Sequence, residues 1–333
     1  FSAIRMRENY EFKKLFIIYK RRYKMKLIKI LTTSALMFTI NASANIISQS
    51  ETVFDNDFAY AGVGGLRGNG FGDIQLTGTS GSITKAYLYW HGPTQSADPS
   101  FNANLTLNGS NVVGNNIGFS DDNFWEQDNS QAYKADVTSL VSGNRTYSLP
   151  GLSPNNSNGA SLIVHYDDGN MANNVDVVSF DGNDGNFDNA FDPLGWDTTL
   201  SGINYTSRSA SLLMGISDGQ SFADGNLLIN GVDMGLLFNG TTVPQTRGST
   251  LGNGALWDLH EIDITPLLTA GLNDLNITYS GGNDALSAIH YQVILPAGSP
   301  PEQPDPDDIP EPSTLAIFAL GLFGLASRKI RKD

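Results

Sequence analysis

One pattern of short β-forming blocks occurs twice in this chain, and that repetition restricts the fold more than any other feature. Lys85-Ala86-Tyr87-Leu88-Tyr89-Trp90 is answered by Ser209-Ala210-Ser211-Leu212-Leu213-Met214. Leu105-Thr106-Leu107-Asn108-Gly109 is answered by Leu227-Leu228-Ile229-Asn230-Gly231, and Ala135-Asp136-Val137-Thr138 by Ile262-Asp263-Ile264-Thr265. Each third block is followed by a glycine, Gly143 or Gly271, and then by a strand ending Tyr147-Ser148-Leu149 or Ile277-Thr278-Tyr279. A last block, Ala160 to Tyr166, is matched with Ala285 to Tyr291, which aligns His165 with His290 and points to packing for both. Short alternating or apolar runs between Gly, Asn and Ser turns are the mark of antiparallel sandwiches. A unit of roughly 110–125 residues buries its own core.

The expected fold is therefore all-β: two tandem antiparallel β-sandwich domains of jelly-roll type, residues 46–180 and 199–297, with an acidic Asp/Asn/Gly-rich loop at 181–198 between them. Asp136 and Asp263, in the repeated Asp-Val/Ile-Thr element, are placed to accept backbone N–H groups at a turn. The blocks Ala86 to Trp90, Asp136 to Thr138 and Gly159 to Val164 resemble uncharacterised β-sandwich modules of bacterial surface proteins, which bring no assigned activity.

Composition narrows the setting. The 333 residues hold 34 Asp and Glu against 20 Lys and Arg, a formal net charge of −14, and 35 Gly but no Cys. An acidic body argues against nucleic acid as a partner. Without cysteine there is neither a disulfide framework nor a thiolate site, so stability must come from core burial or bound ions.

The two ends differ from the body. Met25 to Ile30 is basic, Leu31 to Ile40 is apolar, and Ala42-Ser43-Ala44 is an A-x-A cleavage site, so residues 25–44 read as a signal peptide removed by signal peptidase. Residues 1–24 then read as upstream sequence translated from a misassigned start, the alternative being an unusually long n-region. At the other end, a Pro-rich linker (298–312) closes on Pro310-Glu311-Pro312, and an apolar run and a basic tail with Arg328, Lys329, Arg331 and Lys332 follow at 313–333. Ser313 to Ala326 as a helix is about 21 Å long. That is short for a hydrocarbon core of about 30 Å, so the basic residues must snorkel to the interface. A single C-terminal transmembrane helix with its tail on the cytoplasmic side is expected. These three parts resemble the PEP-CTERM sorting signal handled by the membrane enzyme exosortase. The resemblance implies transient anchoring in the inner membrane, cleavage near Pro310–Pro312 and delivery to the cell surface or extracellular matrix.

Candidate sites are few. Asp181, Asn183, Asp184, Asn186, Asp188 and Asp192 offer oxygen ligands around Gly turns, as Ca²⁺ requires, although they fail the EF-hand spacing. An acidic, well-solvated inter-domain loop explains the same residues. Trp125 and Trp196 stand in polar, turn-rich surroundings and are the candidates for stacking on sugar rings; the competing expectation for both is a core position. No nucleophile elbow, zinc-binding H-E-x-x-H or phosphate loop occurs, so no catalytic residue is assigned. The expectation is a non-catalytic structural or adhesive surface protein. The alternatives are a carbohydrate-binding module for exopolysaccharide or, further off, a polysaccharide hydrolase acting through a carboxylate pair.

Overall fold

Strand order in the computed structural model explains why the chain repeats itself. The structure describes residues 47–122, 127–221, 225–240, 255–279, 281 and 285–298. They hold no α-helix and seventeen strands. The first set is β1 (Ser48–Val63), β2 (Gly72–Leu76), β3 (Ser82–Thr94), β4 (Asn104–Leu107), β5 (Ser110–Val113), β6 (Asn115–Asp122), β7 (Gln127–Asp136), β8 (Arg145–Leu149) and β9 (Gly159–Asp167). The second is β10 (Val175–Gly185), β11 (Asp197–Tyr205), β12 (Ser211–Ser217), β13 (Leu227–Ile229), β14 (Val232–Gly235), β15 (Trp257–Asp263), β16 (Gly271–Tyr279) and β17 (Ser287–Pro296). The signal peptide, residues 1–24, Trp125, the PEP linker and the expected C-terminal helix lie outside the described residues. Among the described residues no helix is long and apolar enough to cross a membrane.

Nine strands form one sheet in the order β15-β12-β17-β10-β1-β9-β3-β7-β6. Read outward from the β10–β1 pair, the order on one side is β17-β12-β15 and on the other β9-β3-β7, so matching strands hold matching places. The smaller sheets repeat the relation: β2 pairs β8 where β11 pairs β16, and the β4–β5 hairpin answers β13–β14. All these pairings are antiparallel.

Local chemistry repeats with the topology. Both hairpins turn on Asn-Gly with positive φ, 49° and 82° at Asn108-Gly109 and 51° and 75° at Asn230-Gly231, the conformation that a type I′ turn demands. Each turn Asn also accepts a neighbouring strand's N–H, Ser148 onto Asn108 and Asn276 onto Asn230, both at 2.8 Å. Asp136 accepts the Thr138 N–H at 2.9 Å and Asp263 the Thr265 N–H at 2.9 Å, opening the 3-10 turns Thr138–Leu140 and Thr265–Leu267. The two threonine hydroxyls then accept the N–H groups of Ala86 and Ala210. Hydrogen bonds from Thr138 and from Thr265 hold the two carboxyls below the usual carboxylate range.

The register corrects one part of the sequence alignment. Tyr87 faces Ile163 and Asp136, whereas Ser211 faces Ile294 and Asp263. Ile294 is thus the counterpart of Ile163, and His290, opposite Gly215, is the counterpart of Gly159, opposite His91. His165 and His290 are both fully buried but occupy unlike places.

Burial follows from the layering. One face of the large sheet packs under β2, β8, β4 and β5 around Leu88, Trp90, Tyr133, Leu162 and Tyr147. The other set packs under β11, β16, β13 and β14 around Trp196, Leu212, Met214, Ile277 and Val293. A third cluster with Tyr89, Ile163, Leu213, Trp257 and Ile289 joins side chains of both sets on the opposite face. Hence β9 and β10 are buried along nearly their whole length, while β2 alternates buried and exposed. Fully burying each such Leu, Ile or Val is worth roughly 1.5–3 kcal/mol.

The contact between the sets is close. A Cβ on Gly159 would lie 2.5 Å from both Cβ and Cγ of Trp257, whose indole N–H donates to Ser161 Oγ at 2.9 Å. Gly159→Ala is expected to lower stability by about 1–3 kcal/mol through overpacking, read as a drop in melting temperature followed by tryptophan fluorescence. An unchanged melting temperature would mean that β9 and β15 do not approach this closely.

Candidate functional site

The residues with the most chemical promise in the sequence are largely engaged inside the protein. Asp181 to Gly185, expected in a loop, are instead the last five residues of β10, drawn into the sheet by pairing with β1 and β17. Asp181 accepts from Lys134 Nζ at 2.6 Å and from the Tyr89 hydroxyl at 3.1 Å. The same ammonium stands 4.6 Å from the centre of the Tyr87 ring and 5.3 Å from that of Tyr89. Burial first, and then the Asp181 charge, pushes the Tyr89 hydroxyl well above the ordinary tyrosine range. The ion pair thus ties β7 of the first set to β10 of the second. Lys134 carried no signal in the sequence, because a lone Lys in an alternating strand looks like a solvated face.

Most of the remaining acidic-stretch residues are engaged with separate partners. Asn183 donates to Ser130 O at 3.1 Å. Asn186 accepts the Leu286 N–H at 2.8 Å. Asp188 is exposed. Asp192 accepts the Leu194 N–H at 3.0 Å in a tight turn. Among the described residues no three His, Asp or Glu side chains converge as a metal site would. Trp196 is a correction: it is 3% exposed, donates to the Tyr291 hydroxyl at 2.7 Å and packs against Phe238 and Tyr279. Its polar sequence neighbours are turn residues around a core side chain, so it offers no sugar platform.

Two buried clusters resemble catalytic parts. His91 Nδ1 lies 2.6 Å from Ser217 Oγ, which also accepts from Asn158 Nδ2 at 2.9 Å. Arg67 bridges Asn158 and Asp218, at 2.7 and 3.0 Å. Ser217 and His91 are 0% and 2% exposed, so no substrate reaches this pair. Burial, helped by the Arg67 charge, drops the His91 pKa to about 3 and keeps the ring neutral. The pair joins β3 to β12, again across the two sets.

Asp184 is the second. Its side chain is buried, Thr198 donates to Oδ2, and Oδ1 has no hydrogen-bond partner among the described residues. Burial above all, with Asp192 and Asp197 as added negative neighbours, raises its pKa to about 8 despite the Thr198 hydrogen bond. An acid whose pKa rises on folding favours the folded state only while the folded form keeps its proton. Stability should therefore fall as pH rises from about 4 to about 8, by up to about 1.4 kcal/mol per pH unit from this group. Asp184→Asn should remove that contribution, so the variant gains on the parent between pH 4 and 8 and the two run parallel below pH 4. Denaturant unfolding at a series of pH values reads this directly, and curves parallel throughout would contradict it.

An open hollow lies along β1. β1 pairs β10 as far as Asn56 and β9 from Asp57 onward, with a register shift and a positive φ of 52° at Asp55. Where it changes partner, two adjoining cavities of about 650 and 430 Å³ share Asn173, Val175, Glu261 and Ile294. Glu261 accepts from the Tyr60 hydroxyl at 2.9 Å and from Ser211 Oγ at 2.6 Å. Asp57, buried beside them, accepts the Asp168 N–H at 3.0 Å, and burial with nearby Asp168 and Asp167 raises its pKa. Nothing in the sequence flagged this groove, because its residues lie some two hundred positions apart.

Comparison with known proteins concerns mainly the C-terminus. The PEP-CTERM protein-sorting motif matches residues 308–332. That match implies an exported, exosortase-sorted surface protein with a membrane-anchored signal at its C-terminus. Among curated proteins none matches. Among solved structures, recombinant N-glycanase F (PNGase F) is 13% identical over 77% of this chain and 99% of its own, with a TM-score of 0.27. PNGase F from Flavobacterium meningosepticum, a glycosylasparaginase, gives 11%, 77%, 99% and 0.28. A β-porphyranase of glycoside hydrolase family 86 from the gut bacterium Bacteroides plebeius is 14% identical over 77% of this chain and 37% of its own, with a TM-score of 0.21. Likenesses at these scores carry no statement about activity.

Proposed function

We propose that the body of this exported chain works without catalysis, as a structural or adhesive pair of jelly-roll-like β-sandwich modules at the cell surface or in the extracellular matrix. The observation that supports this is the use made of the buried polar groups. Asp181 with Lys134, and Ser217 with His91, join one strand set to the other, which favours a rigid body over a reactive one. In this reading signal peptidase cuts after Ala44, and the apolar run after Pro312 holds the chain in the inner membrane with Arg328, Lys329, Arg331 and Lys332 on the cytoplasmic side. Exosortase then cleaves near Glu311, and the freed body associates with exopolysaccharide.

Fractionation of the producing cells tests both halves of the proposal. In the parent strain the chain should be found with the surface or matrix. In a strain lacking exosortase it should stay with the inner membrane. The same distribution in both strains would remove the sorting step. Incubation of the purified chain with the producer's polysaccharide should release no new reducing ends, and their release would contradict a non-catalytic role.

A further inference from the structure

We infer that the groove beside Tyr60 and Glu261 is a binding site for an extended glycan that carries amino groups. This rests on the adhesive reading and names the ligand class that it leaves open. The two hollows of about 650 and 430 Å³ share the wall of Asn173, Val175, Glu261 and Ile294, and together give room for several sugar rings rather than one. The charged side chains that line them are Asp57, Glu261 and Asp263 against one cation, Arg208. A wall with three carboxylates and one guanidinium repels an anionic chain and attracts ammonium groups.

The polar groups suit hydroxyls and amines. The Glu261 side chain is exposed, and its two oxygens, each accepting one protein hydroxyl, keep lone pairs for a ligand donor. Tyr60 lines the groove half-buried, and an aromatic ring so placed can meet an ammonium or the C–H face of a sugar. Ile294 of β17 and Val175 of β10 line both hollows, and each of these strands already has neighbours on two sides. These two strands offer no free backbone edge, whereas β15, which brings Glu261 and Asp263, ends the sheet, so a peptide is the rival occupant that a lysine hexamer tests.

Titration calorimetry of the full chain with a glucosamine hexamer, a glucose hexamer, a galacturonate hexamer and a lysine hexamer tests the assignment. The glucosamine hexamer should bind saturably, more tightly than the glucose hexamer, and should weaken as salt is raised. The galacturonate hexamer should not bind. Glu261→Gln should weaken binding about tenfold. Arg208→Asn should strengthen it several-fold, a gain that a damaged fold would not produce. Arg208 is exposed at a φ of 73°, a conformation that Asn tolerates. Failure of the glucosamine hexamer to bind would overturn the inference, as would equal binding of galacturonate or lysine hexamers, or indifference to both substitutions. Normal surface sorting alongside such a failure would remove the ligand alone. Cleavage of the glucosamine hexamer would instead overturn the non-catalytic reading.

Discussion

The pairing of β1 with β10 is the contact on which the rest of the architecture depends. Each of these strands is the first of its set, and each also pairs with the last strand of that set, β9 or β17. Joining them therefore fuses two closed patterns into one nine-stranded sheet. A sandwich standing alone would present these strands as edges, with rows of unpaired N–H and C=O groups. Here each edge satisfies the other, and β1 is long enough, Ser48–Val63, to serve β10 with its first half and β9 with its second. The change of partner requires a break, supplied by the left-handed Asp55 and by Asp176, which accepts the Asp55 N–H at 2.8 Å. The groove at that point is a consequence of the same break.

Polar groups then set how the two sets sit on one another. Hydrophobic burial is non-directional and would tolerate sliding between faces that share Ile163, Leu213 and Ile289. Lys134 with Asp181, Arg67 with Asp218, and His91 with Ser217 each join a residue of the first set to one of the second. Both ion pairs are partly buried, and removing one member strands its partner away from full solvation, so such pairs penalise wrong registers more than they reward the right one. With no disulfide available, this is how the fold obtains a unique arrangement.

Much of the architecture was legible in the sequence. The Asn-Gly turns and the Asp-x-Thr elements are local, and each carries its conformation in two or three residues, so their repetition marks the repetition of the fold. The last block misled because Ala160-Ser161-Leu162 and Ala285-Leu286-Ser287 look alike while the true counterparts lie further along β17. Strands buried on both faces lack the alternation that would fix their register. The acidic stretch misled for a related reason: Asp181-Gly182-Asn183-Asp184 has the composition of a loop and becomes a strand only because Lys134, Tyr89 and Thr198, distant in sequence, supply its partners. Trp196 was a candidate for exposure for the same cause, and its competing core position is the one it takes. The groove was out of reach, since Tyr60 and Glu261 meet only after the two sets have joined.

Differential scanning calorimetry of the purified chain tests the shared sheet most directly. If β1 and β10 make the two strand sets one cooperative structure, unfolding will be a single transition with equal calorimetric and van't Hoff enthalpies. Two separable transitions, each with the enthalpy of about half the body, would contradict it and make the β1–β10 seam a contact between independent modules.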